Sequence, residues 1–503
     1  MKSFLRDLNL SKYIAFDLET TGLDPKSDSV IEFSAVLFED GEVKETLSFL
    51  CDPERDIPPE IELITGITRD MVKGKPNFEE RLIEVVDFLD ITPLVGHNIG
   101  FDISFLKEYF KRNKELKKKR ITNRLYDTSL LSQAFYFYLN DHKLTTVSEY
   151  CGVSSKGAHR AEVDAINTGR IFLKLIQRAS LYDLETFQIV NMILQNTNDP
   201  NKWLYRNLTE RLILKKSMGS AKAPEIDWKA KSNIIGDHIK VDEESEQLPD
   251  ITGNDINNYF DKGGLISKKL TGFEPRPQQI EMAKTVLSCL NEKKSAMIEA
   301  GTGVGKSLAY LIPSILWLNN NTEEKQRLAI ASNTKNLQEQ IFYKEIPFAS
   351  DKLKLPFKAV LLKGRSNYLC FTKWYRFLAD LPSRLNIADK SAIIPIVIWL
   401  KHTKTGDISE CSGFKLSWNR YIWNEICSEP GYCTTNLCQK YHGCFLGKVR
   451  YQASLSDVII VNHSLLLADS VSEKKVLPEY TTLVVDEAHN LEKNSYNYCL
   501  LYT

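Results

Sequence analysis

The stretch Tyr13-Ile-Ala-Phe-Asp-Leu-Glu-Thr-Thr-Gly-Leu-Asp-Pro25 decides how the first third of this 503-residue chain is read. Tyr13 to Asp17 is a short apolar run suited to a buried central strand. Side chains on a strand alternate faces, so Asp17 and Glu19 present two carboxylates side by side. Thr20 to Pro25 then breaks the strand in a turn. Val30-Ile-Glu-Phe-Ser-Ala-Val-Leu-Phe38 reads as the next strand, antiparallel across a hairpin. Leu94-Val-Gly-His-Asn98 is a further short strand, delivering Asp102 at the start of a helix over residues 101–111. In His159-Arg-Ala-Glu-Val-Asp164 the histidine falls in a loop and Asp164 on the helix that follows.

Four acids and a histidine at these spacings suit two-metal phosphodiester cleavage. Mg²⁺ or Mn²⁺ takes hard oxygen ligands and keeps several waters. A pair of such ions about 3.5–4 Å apart stabilises both the attacking and the leaving oxygen of an in-line displacement. Asp17 is assigned as the bridging ligand, Glu19 and Asp164 to the ion carrying the nucleophilic water, and Asp102 to the other ion. His159 would take the proton of that water as general base. The basic run Lys111 to Arg120 suits either a phosphate backbone or a solvated helix end, and the aromatic run Gln133 to Leu139 either base stacking or core.

These segments, with Leu63-Ile-Thr-Gly-Ile-Thr68 and Tyr126-Asp-Thr128 between them, resemble the DEDDh family of 3′→5′ exonucleases over about residues 10–178. The resemblance implies a ribonuclease-H-like α/β fold, single-stranded 3′ ends as substrate and release of nucleoside monophosphates.

A second engine is legible downstream. Ser295-Ala-Met-Ile-Glu-Ala300 is a strand-like run entering Gly301-Thr-Gly-Val-Gly-Lys-Ser307, followed by an apolar helix over 308–318. Glycines let backbone N–H groups wrap phosphates at a helix N-terminus, and this context makes Gly301, Thr302, Gly303 and Gly305 a phosphate cradle. Lys306 reaches the β- and γ-phosphates and Ser307 holds Mg²⁺. Thr482-Leu-Val-Val-Asp-Glu-Ala-His489 is a strand ending in acids, with Asp486 supporting the Mg²⁺ of ATP and Glu487 polarising the attacking water. The segments resemble superfamily 2 helicases. Glu274-Pro-Arg-Pro-Gln-Gln279 resembles their adenine-reading segment, with Gln279 as reader. Ala331 to Gln338 resembles their first DNA-contact motif, with Thr334 and Gln338 as contacts, and Val461-Asn-His-Ser-Leu-Leu466 resembles the stretch before the DEAH box in DinG and XPD helicases. A DEDDh nuclease joined to such a helicase is similar to the DinG-type proteins.

Six cysteines lie between the two ATPase motifs: Cys370, Cys411, Cys427, Cys433, Cys438 and Cys444. Cys370 followed by Cys433, Cys438 and Cys444 resembles the ligand order of the 4Fe–4S domain of iron–sulfur helicases. Four thiolates also suit tetrahedral Zn²⁺, and unligated cysteines are the remaining reading. Cys427 could replace one ligand, and Cys411 fits neither scheme.

The expected architecture is α/β throughout: a ribonuclease-H-like exonuclease domain over 1–185, a loosely structured linker over 186–265, and one RecA-like P-loop domain over 266–503 with a cysteine-rich insertion at 365–450. Lys+Arg and Asp+Glu both count 65, so bulk charge singles out no polyanion partner, although a groove needs only local positive charge. No apolar run approaches a membrane span and the N-terminus carries no secretory signal, so no membrane partner and a cytoplasmic location are expected. The chain runs to Thr503, fourteen residues beyond His489, without the segments of a second RecA-like domain. The expected activity is therefore a 3′→5′ exonuclease on single-stranded nucleic acid, DNA favoured and RNA possible, fused to an ATP-binding half that does not unwind alone. The competing readings are an ATP-dependent helicase–nuclease completed by a separate chain, and a non-catalytic nucleic-acid-binding remnant.

Overall fold

The computed structural model describes residues 2–116, 118–154, 159–214, 228, 230–237, 251–301, 303–321, 326–430, 443–472 and 475–499. They form two compact units. One comprises Met1–Lys229, Arg376–Thr403 and Ile408–Trp423; the other comprises Ala230–Tyr375, Lys404–Asp407 and Asn424–Thr503.

The first unit is built on a five-stranded mixed sheet in the order β3-β2-β1-β4-β5. Its strands are β1 (Lys12–Thr20), β2 (Val30–Glu39), β3 (Glu42–Leu50), β4 (Leu94–Gly96) and β5 (Leu125–Asp127). β1 runs antiparallel to β2 and parallel to β4, and β4 runs parallel to β5. The apolar run Tyr13–Phe16 is fully buried at the centre, as a strand covered on both faces requires. The edge strand β3 begins with an exposed, charge-rich sequence, which discourages pairing with another chain.

Helix α1 (Phe78–Leu89) starts on a reciprocal cap in which Asn77 and Glu80 each accept the other's backbone N–H. Helix α2 (Gly100–Arg112) follows β4 after a sharp turn. Asp127 ends β5 and accepts the N–H groups of Ser129 and Leu130 to start α3 (Thr128–Phe135). The aromatic run Gln133 to Phe137 is buried, so it serves as core rather than as a stacking platform.

Helix α4 (Ala161–Ala179) packs across β1 and β2. Gly169 allows this approach, because a Cβ there would lie 2.2 Å from the Phe38 ring. That ring is buried and stacked on Tyr13 at 5.0 Å, leaving it nowhere to swing. Gly169→Ala is therefore expected to destabilise this unit by about 1–3 kcal/mol through overpacking. Thermal melting checks this; a transition unmoved by the substitution would contradict the packing.

Two expected boundaries move. Helices Leu184–Ile193 and Lys202–Leu214 belong to the first unit, with Leu204, Tyr205 and Leu208 buried and the Asn201 side chain bonded to the Asp127 backbone. The bridge thus begins later than residue 186, and most of it, 215–227 and 238–250, lies outside the described residues. Part of the segment assigned to an ATPase insertion also joins the first unit. Helix Ile394–Leu400 buries Ile394 through Trp399, Gly413 donates its N–H to the Phe137 carbonyl, and Tyr182 meets His402 Nε2 at 2.9 Å.

The second unit holds a sheet in the order β10-β7-β9-β8-β6, from β6 (Ile234–Ile235), β7 (Leu328–Ser332), β8 (Ala359–Leu361), β9 (Val458–Asn462) and β10 (Thr482–Val485). The first four strands in that order run parallel and β6 antiparallel. Helices α5 (Pro277–Asn291) and α6 (Lys306–Asn320) pack together on it. The strand expected at 295–300 does not form, and Met297 is fully exposed. Only Ala296 to Ile298 are consecutively apolar there. Among the described residues β10 ends the sheet, so the run has no second strand to be held between.

Candidate active site

β1 carries Asp17 and Glu19 to one face with Leu18 buried between them on the other. α4 brings Asp164 to the same place in its first turn, where the helix dipole favours an acid. Carboxylate oxygens of Asp17, Glu19 and Asp164 all lie within 4.8 Å of one another. Among the described residues this is the one group of three or more histidine, cysteine or acidic side chains close enough to share a metal ion. Asp102, in the first turn of α2, accepts the Leu18 N–H through Oδ1 at 3.1 Å, which fixes it against the middle of β1.

The electrostatics are those of crowded acids that Arg160 only partly offsets. Burial first, then Asp102, Glu19, Asp164 and Glu32, push the Asp17 carboxyl far above the ordinary range. Glu19 is raised to about 7 by burial and by Asp164 and Glu32, with Arg160 opposing. Burial likewise raises Asp102 and Asp164. Such a set is relieved by divalent cations, so the donors fit hard metal ions whose binding would expel protons.

This has a consequence for pH. These carboxyls hold protons more tightly folded than unfolded, so the stability they lend is complete at acid pH. It drains as pH rises through the folded values, for Glu19 about 7. For Glu19 alone the loss is at most roughly 3 kcal/mol. Metal ions replace those protons, so Mn²⁺ should raise the melting temperature several degrees more at pH 8 than at pH 5.5. Equal shifts at both values would contradict the assignment.

His159 stands at the mouth of the group, exposed, with φ of 68°. Its backbone N–H donates to Asp164 Oδ2 at 2.9 Å, leaving the imidazole available to chemistry. Residues 155–158 before it lie outside the described residues. Arg112, from the basic run, donates to the Pro25 and Lys26 carbonyls and so secures the turn that follows β1.

In the second unit Gly303 and Gly305 adopt positive φ of 82° and 86°, and Gly305 hands the chain to α6 at Lys306. Thr302 lies outside the described residues. Lys306 Nζ pairs with Glu487 Oε1 at 3.0 Å, which joins the loop to the acids after β10. Asp486 donates its N–H to the Ala331 carbonyl, and burial together with Glu487 raises its carboxyl. Gln279 is buried and donates Nε2 to the Gly305 carbonyl at 2.9 Å, bracing the loop. A cavity of about 290 Å³ opens beside it, lined by Phe273, Arg276, Gln279, Val304 and Gly305 among others. Gln338, expected to contact DNA, is wholly buried and donates to the Leu362 and Ile460 carbonyls. It ties strands together instead. Thr334 caps helix α7 (Lys335–Gln340) and is exposed.

The cysteines separate. Cys411 is buried in the first unit; Cys370, Cys427 and Cys444 belong to the second. Cys370 and Cys427 lie on adjoining backbone, with the Cys370 N–H donating to Ile426. Cys444 Sγ accepts the Gly447 N–H at 3.3 Å. Cys433 and Cys438 lie outside the described residues.

Sequence reasoning missed Glu32, whose place inside an apolar strand reads as ordinary alternation, and Arg160, hidden between two assigned residues. No described helix is long and apolar enough to cross a membrane.

Two family models match this chain. Residues 14–172 match the family model described as exonuclease, and residues 276–381 match that of the DEAD/DEAH box helicases. The chain is 31% identical over 499 residues to the 3′-5′ exonuclease DinG of Bacillus subtilis, covering 97% of this chain and 50% of that protein. It is 26% identical over 493 residues to the protein of that name in Staphylococcus aureus, covering 97% and 51%. The chain thus spans about half the length of the curated relatives it matches. Among solved structures, exonuclease I is 21% identical with a TM-score of 0.30, covering 35% of this chain and 47% of its own. Exonuclease X in complex with 5′ overhanging duplex DNA is 20% identical with a TM-score of 0.27, covering 34% and 94%.

Proposed function

We propose that this chain, which joins an exonuclease domain to a DEAD/DEAH box helicase domain in the manner of the DinG exonucleases, is a metal-dependent 3′→5′ exonuclease on single-stranded DNA. The observation that carries the reading is the convergence of Asp17, Glu19 and Asp164, with Asp102 braced on the same strand. A protein that only bound nucleic acid would gain nothing from four carboxylates that repel phosphate.

Asp17 would serve both of two Mg²⁺ or Mn²⁺ ions, Glu19 and Asp164 one of them and Asp102 the other. Bound there, such ions supply the positive charge that stabilises the attacking and leaving oxygens. The chain's own groups do the rest. His159 accepts the proton of the attacking water at its imidazole. The backbone bond from its N–H to Asp164 keeps that imidazole beside the acids.

The second unit binds ATP–Mg²⁺ on this reading. Gly301, Gly303 and Gly305, with Thr302, surround the phosphates and Lys306 turns from Glu487 to them. Ser307 and Asp486 would hold the Mg²⁺, and Gln279, which lines the cavity beside the loop, would read adenine there. Glu487 then orients the attacking water. Cys370, Cys433, Cys438 and Cys444 are proposed as ligands of a 4Fe–4S cluster or of Zn²⁺. Iron, sulfide and zinc contents of anaerobically purified chain decide between them, and the absence of all three would remove the site.

Direction is tested with one oligonucleotide labelled at either end. The 3′ label should leave at once as mononucleotide while the 5′ label forms a descending ladder. The reverse pattern, or internal cuts in a circular single strand, would overturn the assignment.

A further inference from the structure

Glu32 is a carboxylate on β2 with 2% of its surface exposed, directly across from Glu19 in the β1–β2 register. Burying an acid beside Asp17, Glu19 and Asp164 demands a partner, and it has one from a distant part of the chain. Arg160 Nη2 lies 2.7 Å from Oε1, and Arg160 Nε lies 3.1 and 3.2 Å from the two oxygens. The Ala161 N–H completes the set at 2.9 Å from Oε2. Both oxygens of Glu32 are therefore committed, which is why it is not a further metal ligand despite its position.

The residues it grips are informative. Arg160 follows His159, the residue held at positive φ, and Ala161 opens α4, whose first turn carries Asp164. One carboxylate on β2 thus fixes the junction from which both the proposed base and one proposed ligand project. The β1–β2 register shifts immediately after Glu19, so the sheet ladder itself does not set this geometry beyond that point.

We propose that Glu32 and Arg160 form a positioning clamp that sets His159 and Asp164 against Asp17 and Glu19, without either residue touching a metal ion or substrate. The proposal rests on the exonuclease reading. A guanidinium fork is needed for it, since an ammonium offers a point charge rather than paired donors. Partners standing behind metal ligands typically set activity or metal affinity by about 10–100-fold.

The test uses the full chain with Arg160→Gln, Arg160→Lys, Glu32→Gln and the double variant Glu32→Gln/Arg160→Gln. Arg160 is 43% exposed, so its variants keep the experiment interpretable should Glu32→Gln fail to fold. Each single variant is expected to lose about 10–100-fold in kcat, or in Mn²⁺ affinity followed by electron paramagnetic resonance, with KM for the oligonucleotide changed less than about threefold. Arg160→Lys should stay low, and the double variant should be no worse than the poorer single one, as for groups acting as a unit. A purely structural pair would lower the melting temperature and leave kcat and Mn²⁺ affinity of the folded protein unchanged, which would overturn the proposal. So would multiplicative losses in the double variant, or full recovery with lysine. Parent chain that binds no Mn²⁺ and leaves the oligonucleotide intact would remove the exonuclease reading, and the clamp with it. Active parent beside unaffected variants would remove the clamp alone.

Discussion

Asp17→Ala is expected to lower kcat/KM on a single-stranded oligonucleotide by on the order of 10⁴-fold, the magnitude seen when a central member of a catalytic set is removed. Asp17 lies at the middle of the acidic group, with Glu19 and Asp164 within 4.8 Å and Asp102 close enough to raise its carboxyl. On the proposed assignment it is the acid that serves both ions. Its removal therefore uncouples the two halves of the metal site rather than weakening one. The fold should not suffer. Asp17 is half-buried, and desolvation followed by its acidic neighbours raises its carboxyl, so deleting it relieves an unfavourable setting in the metal-free protein. The melting temperature above pH 7 should hold or rise. Steady-state rates beside a thermal melt check both halves, and an active variant, or an inactive one that has unfolded, would count against the assignment.

His159→Asn is expected to lower kcat by about 10²–10⁴-fold while Mn²⁺ affinity stays within a few-fold of the parent. The imidazole is exposed, and the bond to Asp164 comes from the backbone, so a ligand keeps its support when the side chain changes. Asparagine is chosen because residue 159 sits at φ 68°, a conformation asparagine tolerates better than most residues. Loss of Mn²⁺ binding in this variant would mean that His159 is a ligand or an organiser of ligands, not a base.

The convergence of the acids was legible because a strand leaves their spacing little freedom. Asp17 and Glu19 must be two apart to share a strand face, and β1 indeed runs through both. Glu32 escaped the same reading because its function is to hold Arg160, 128 positions away, and no local pattern records a partner at that distance. Gln338 illustrates the opposite failure. A polar residue in a DNA-contact motif suggests solvent, whereas here its amide satisfies two carbonyls between strands. The run at 295–300 has the local look of a strand, but a central strand forms only with neighbours on both sides. The migration of Ile394–Leu400 into the first unit was likewise a matter of tertiary complementarity: an apolar helix reads the same wherever it docks.

The acids of the first unit are proposed to hydrolyse phosphodiester bonds with the help of divalent metal. The most direct test is a time course of purified chain on a 5′-labelled single strand with Mn²⁺, with Mg²⁺, and with EDTA, beside Asp17→Ala. Stepwise shortening from the 3′ end is expected with either metal, with none in EDTA and none in the variant. Folded parent chain that leaves the strand intact with both metals, or a variant that shortens it equally well, would contradict it.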